Sequence, residues 1–126
     1  MRNMSFSLTT EQVRRREKTV TRRLGWEDLQ PETILLAVEK AQGLKKGEHV
    51  KPICVIRVVS VTPERLDDII DKYDYKETAR EGFPQLTSYG FVDMFCRANH
   101  CQPGTLVHRI EFEYWDPEVP WGPDAS

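Results

Sequence analysis

The sequence predicts a small α+β domain, and three observations carry that reading. Residues 53–61 form a nearly unbroken β-branched run, the signature of a strand buried on much of both faces. Residues 105–114 alternate, with His108, Ile110, Phe112 and Tyr114 on one side and Arg109, Glu111 and Glu113 on the other, as a half-buried strand does. The helical patterns around them are short and do not alternate regularly with strands, which argues against a parallel α/β fold.

The remaining elements follow in chain order. Residues 3–8 alternate polar and apolar and read as a short strand. Thr9 and Thr10 offer caps for a helical run through Glu17. Thr19-Val20-Thr21 is β-branched and leaves that helix as extended chain, so Lys18 falls at a helix–strand junction. Gly25 and the region of Pro31 mark a turn or short helix. Residues 34–38 fit a strand or a single helical turn, and periodicity does not decide between them. Residues 44–48 form a turn before the long strand. Thr62-Pro63 predicts a helix start, with threonine as cap and proline in the first turn, followed by an apolar face of Leu66, Ile69 and Ile70. Residues 81–84 are a break. Ser88 caps a helix that carries Phe91, Met94 and Phe95 on one face, and Pro103-Gly104 turns into the last strand. Pro117, Pro120 and Pro123 give the end of the chain an irregular reading, with Trp115 and Trp121 either folded back or presented to a partner.

The length of 126 residues fits one domain with its own core. No apolar run approaches the roughly 18 residues that a membrane span needs, and no signal-peptide pattern opens the chain. Three cysteines, Cys54, Cys96 and Cys101, are an odd number without framework spacing, so reduced thiols and a cytoplasmic location are expected. Cys96, His100 and Cys101 lack a matching second pair for zinc, even with His49 or His108 as partner, and no metal or cofactor is expected. The net charge of −2 is unevenly spread. Residues 1–24 hold seven bases and two acids, a net of +5, and the rest of the chain carries −7. A basic segment on an acidic body suits a local polyanion, although a solvated helix face has the same composition.

Ser5-Phe6-Ser7 followed by Lys18-Thr19-Val20-Thr21-Arg22-Arg23 resembles the opening of the ASCH family. The likeness continues through Gly43 to Glu48, Ile56 to Val61, Glu81-Gly82-Phe83 and the strand Arg109 to Tyr114. It implies an α+β, PUA-like small β-barrel with flanking short helices over residues 1–114, and an acidic proline-containing tail over residues 115–126. It also implies a basic cleft lined by the Lys-Thr-x-Thr-x-Arg segment and binding RNA or a modified nucleoside, with no membrane partner. Some small members of the family are amidohydrolases that deacylate N4-acetylcytidine. Carried over by motif, their chemistry falls on Lys18 as base, Thr21 as nucleophile and Glu81 as acid. Glu77 competes with Glu81 for the acidic role. Such a set is chemically coherent, because a threonine hydroxyl needs a base, and a lysine serves as one only when its pKa is lowered. Arg22 and Arg23 point to opposite faces of a strand, so one is expected to reach a ligand phosphate and the other to pair with an acid of the body. Trp26 is a candidate to stack on a base. Beside the family pattern, residues 25–44 read as a long insertion. With three or four phosphates contacted, RNA affinity would fall with salt with a slope of about −2 to −3. A small protein-interaction module is the third class the sequence allows.

Overall fold

The computed structural model describes residues 1–41 and 43–116. In chain order it runs β1 (Arg2–Ser5), α1 (Thr10–Arg14), β2 (Val20–Arg23), β3 (Ile34–Val38), β4 (Pro52–Arg65), α2 (Asp68–Asp71), α3 (Glu77–Arg80), α4 (Ser88–Asn99) and β5 (Leu106–Tyr114). The five strands make one curled, half-barrel sheet in the order β1-β3-β4-β5-β2. The β1–β3 pair is parallel and the other three pairs are antiparallel. This is the α+β, PUA-like architecture.

Strand β4 is the spine. Its first half pairs with β3 on one side and β5 on the other, which explains the continuous apolar pattern. Val58 faces Phe112 and Ser60 faces Glu111, so Val59 is an unopposed extra residue, a bulge that bends the strand. Beyond it β4 continues against β5 alone, to Arg65 opposite Leu106. This stretch corrects the helix expected at Thr62-Pro63: Thr62 pairs with Arg109 and Pro63 with His108. A proline has no N–H to give, but here one edge of the strand has no neighbouring strand, so the missing donor leaves no ladder bond unmade. The helical segment starts later and is only one turn, Asp68–Asp71.

One further expectation changes, and one open choice is settled. The helix expected through Glu17 ends at Arg14, and Arg16 takes a left-handed φ of 61° in the turn that follows. Within the segment 25–44, residues 34–38 form β3, which joins β1 to β4 within the sheet. The choice left open there by periodicity falls to strand, since Leu35, Ala37 and Val38 gain a buried surface between two neighbours. The tail from residue 117 onward, including Trp121, lies outside the described residues, so the tail expectation applies to a part not described. Trp115 donates its backbone N–H to the Val55 carbonyl at 3.0 Å.

Two apolar clusters hold these elements. One gathers Met4, Phe6, Val13, Leu35, Ile56 and Phe112 on the sheet under α1. The other joins α2 and α4 to the distal β4–β5 ribbon through Leu66, Ile69, Phe91, Phe95 and Val107. Burying a side chain of this size contributes about 1.5–3 kcal/mol. No helix among the described residues is long and apolar enough to cross a membrane.

Candidate functional site

The site starts from the junction between α1 and β2. Lys18 and Glu17 both donate backbone N–H groups to the Gln12 carbonyl, and the Gln12 amide reaches the Gly82 carbonyl at 3.1 Å. Thr19 donates to the Arg80 carbonyl at 2.9 Å. These bonds lash the start of β2 to the segment after α3. Gly82 is required there: its φ is +94°, and a Cβ would meet the Gln12 side chain at 3.3 Å. On the other side, the Tyr114 hydroxyl donates to the Lys18 carbonyl and Phe112 N–H to the Thr19 carbonyl. Lys18 and Glu81 are therefore fixed by backbone from three directions.

Their side chains meet inside the protein. Lys18 Nζ donates to the Glu81 carbonyl at 2.5 Å and to Glu81 Oε1 at 3.0 Å, with both side chains 3% exposed. Arg22, fully buried, spreads its guanidinium over three acids: Nη1 to Glu81 Oε2 at 2.9 Å, Nη2 to Glu77 Oε2 at 2.7 Å and Nε to Glu64 Oε2 at 3.2 Å. Glu77 also accepts from Arg109 Nε at 2.7 Å and from Arg80 Nη1 at 3.1 Å. The Tyr73 hydroxyl donates to Glu64 Oε1 at 2.5 Å, and the Arg22 and Arg109 guanidiniums lie 4.9 and 4.8 Å from its ring centre. This network absorbs two of the seven bases of the basic segment.

A cavity of about 820 Å³ opens beside the network. Lys18, Thr21, Arg22, Arg23, Trp26 and Glu81, the six residues singled out in the sequence, all line it. They do so differently. Glu81 lines the cavity, whereas Glu77, its competitor, does not. Arg22 is consumed by acids of the body. Arg23 donates Nε to Thr21 Oγ1 at 3.0 Å, lies with its guanidinium 4.8 Å from the Phe6 ring centre, and has no carboxylate within ion-pair distance among the described residues. Trp26 carries the Arg2 guanidinium 4.0 Å from its ring centre, so one face of the indole is already covered. Phe83, Phe91, Met94 and Phe95 supply an apolar wall, the last three from the helix face read in the sequence.

Glu64, Tyr73 and Arg109 were missed. Arg109 has an alternating position that reads as solvent-facing, and Glu64 fell within the mistaken helix start. Each becomes visible only once the extended β4–β5 ribbon is known. Among the described residues no group of three or more His, Cys, Asp or Glu side chains is arranged to hold a metal ion.

Burial pushes the Lys18 amine below its ordinary value, against the charge and hydrogen bond of Glu81, and the charges of Arg23 and Arg22 add to the lowering. Burial pushes the Arg23 guanidinium down to about 10, with the Glu81 charge opposing. At Glu77, burial alone would raise the carboxyl, but the Arg109 hydrogen bond and the Arg22 charge outweigh it and hold it below 4.5. A carboxyl depressed on folding contributes stability above its unfolded value, and that contribution is lost as pH falls through the folded value. Thermal melts from about pH 7 to about pH 3 should show the midpoint falling below about pH 4.5, and Glu77→Gln should flatten this fall. Equal slopes in the parent and the variant would remove Glu77 as the cause.

The chain matches no family model and no curated protein. It is similar in structure to an ASCH domain from Lactobacillus crispatus JV V101, with a TM-score of 0.56 and 18% identity over 90% of this chain and 79% of that one. It is also similar to protein EF3133 from Enterococcus faecalis V583, of family DUF984, with a TM-score of 0.55 and 15% identity over 86% and 70% of the two chains. At these identities the likeness establishes the fold, an ASCH-type fold, and leaves the activity to the site.

Proposed function

We propose that this ASCH-type domain uses its cavity to bind a single nucleoside-sized ligand. The observation that carries the reading is the convergence of Lys18, Thr21, Arg23 and Glu81 on a cavity of about 820 Å³ with an aromatic wall. Small-ligand sites are typically concavities of about 300–1,000 Å³, mostly apolar, with a few fixed polar groups. Lys18 keeps one of its three N–H bonds beyond the two given to Glu81, and the Thr21 hydroxyl, already accepting from Arg23, keeps its own proton to donate. These donors suit the carbonyl oxygens of a nucleobase, and Phe83 and Phe91 suit its ring. An extended single strand, by contrast, calls for a basic groove that tracks several phosphates, and here Lys18 and Arg22 are turned inward onto acids.

Calorimetric titration with the four ribonucleosides and with a single-stranded RNA of mixed sequence tests the reading. A nucleoside should bind, the RNA should bind no more than about threefold tighter, and nucleoside affinity should hardly change with salt, since no phosphate is neutralised. RNA binding with a salt slope of about −2 or steeper, and no nucleoside binding, would replace the cavity by a surface groove.

Amide hydrolysis of an N4-acylated cytidine is the second reading, favoured by the buried, pKa-lowered Lys18 beside Glu81 and by Thr21 on the same cavity. Lys18 would take the Thr21 proton as Oγ1 adds to the acyl carbon. The C–N bond would then break as that proton passes from Lys18 through Glu81 to the leaving amine, and water would cleave the acyl-threonine ester, releasing the carboxylic acid and restoring the Thr21 hydroxyl.

A further inference from the structure

Arg22 and Arg23 are adjacent, yet their electrostatic situations are opposite. Arg22 meets three carboxylates. Among the described residues Arg23, half-buried, meets none, and its only side-chain hydrogen bond is from Nε to the neutral Thr21 hydroxyl. Both terminal nitrogens are without an acceptor among the described residues. The stem is nonetheless held in place, by Thr21 on one side and the Phe6 ring on the other. Neither terminal nitrogen is fully buried, so both remain accessible to a ligand, and partial burial lowers the guanidinium pKa to about 10, which still leaves it charged at neutral pH.

The one acid of the cavity, Glu81, acts on Arg23 only through its charge and makes no ion pair with it. The cavity is lined by four cations, Lys18, Arg22, Arg23 and Lys40, and by one acid, Glu81, whose two carboxylate oxygens already accept from Lys18 and Arg22. Lys40 is partly engaged by Glu48 at 4.0 Å. Lys18 and Arg22 are matched by Glu64, Glu77 and Glu81, which leaves Arg23 as the cation of the cavity without an ion pair among the described residues.

We infer that the cavity takes an anionic ligand whose charged group docks on the terminal nitrogens of Arg23, and that its ligand class is therefore nucleoside monophosphates rather than neutral nucleosides. The inference rests on the reading of the cavity as a nucleoside site. A guanidinium held by Nε presents its two terminal N–H groups as a fork, which matches two oxygens of a phosphate, and a neighbouring aromatic face stiffens it. The ring would then lie along the wall of Phe83 and Phe91, within reach of Lys18 and Thr21. In this arrangement Arg23 sets specificity and Lys18 with Thr21 reads the base.

The test is calorimetric titration of the full chain with the four ribonucleosides, their 5′-monophosphates and inorganic phosphate. At least one monophosphate should bind about tenfold or more tightly than its parent nucleoside, and phosphate alone should displace it weakly. Arg23→Met, which keeps the apolar stem over Phe6 and removes the charge, should bring monophosphate and nucleoside to within about twofold by lowering monophosphate affinity alone. Equal affinities in the parent protein would overturn the inference and leave the nucleoside cavity standing. A preference that survives in a folded Arg23→Met variant would place the phosphate elsewhere and overturn it as well. Binding of neither class would remove the cavity reading and this inference together. If Arg23→Met does not fold, the parent protein's monophosphate-to-nucleoside ratio, and its decline with added salt, still decide.

Discussion

Glu77→Ala will destabilise the fold by about 3–5 kcal/mol, the cost of leaving buried charges without their partner. Glu77 is fully buried and accepts hydrogen bonds from Arg22, Arg80 and Arg109. Its removal leaves Arg109 without a carboxylate among the described residues and leaves the buried Arg22 with two acids instead of three. For a chain of this length the midpoint should fall by about 10–20 °C. Urea denaturation of the parent and variant gives the figure directly. Two comparisons separate the network from generic damage. Asp93→Ala breaks an exposed i,i+4 pair with Arg97 on α4 and should cost no more than about 0.5 kcal/mol. The double variant Glu77→Leu/Arg22→Met should cost less than the sum of its single changes, because the Arg22–Glu77 pair lost in each single change is lost only once in the double. A loss below about 1 kcal/mol for Glu77→Ala would mean that water reaches the network and compensates it.

The network also marks where the sequence stopped being legible. The strands with the strongest local pattern, residues 53–61 and 106–114, can be read from β-branching and alternation alone, because packing on the sheet reinforces local preference. Lys18, Thr21 and Arg23 could be singled out because a motif fixes their spacing, and Glu81 because the family likeness includes Glu81-Gly82-Phe83. The partners of Arg22 could not. Glu64 lies 42 positions away and Glu77 lies 55 away, and the contacts exist only once β4, extended past the bulge at Val59 to Arg65, and α3 are brought beside β2. Thr62-Pro63 failed for the complementary reason: its local signal is that of a helix start, and nine residues of β5 pairing against β4 override it. The net charge of +5 in the first 24 residues misled in the same way. It counts Lys18 and Arg22 as available for a polyanion, whereas the fold commits them to Glu64, Glu77 and Glu81.

That commitment shapes the chemistry expected at Lys18 and Thr21. Under the hydrolytic reading, the parent protein incubated with N4-acetylcytidine releases cytidine and acetate, followed chromatographically, and three substitutions separate the roles. Lys18→Ala should lower turnover by about 10²–10⁴-fold, the usual contribution of a positioned base. Lys18→Arg should not restore it, because a guanidinium does not give up its proton near neutral pH. Thr21→Ala should reduce turnover to background, and Thr21→Ser should retain part of the rate, since only a methyl group is lost. Glu81→Gln bears on two functions at once, as Glu81 orders Lys18 and Arg22 as well as facing the cavity, so its loss of rate must be read beside its stability. The pH profile distinguishes the base from a merely structural lysine. Burial lowers the Lys18 pKa, so a rate limited by its neutral form should rise with pH and level off below the ordinary lysine value of 10.5. A parent protein with no turnover would discard hydrolysis of this substrate and leave ligand binding as the function of the cavity. Full activity in Thr21→Ala would keep the hydrolysis but transfer the attack from threonine to a water activated by Lys18.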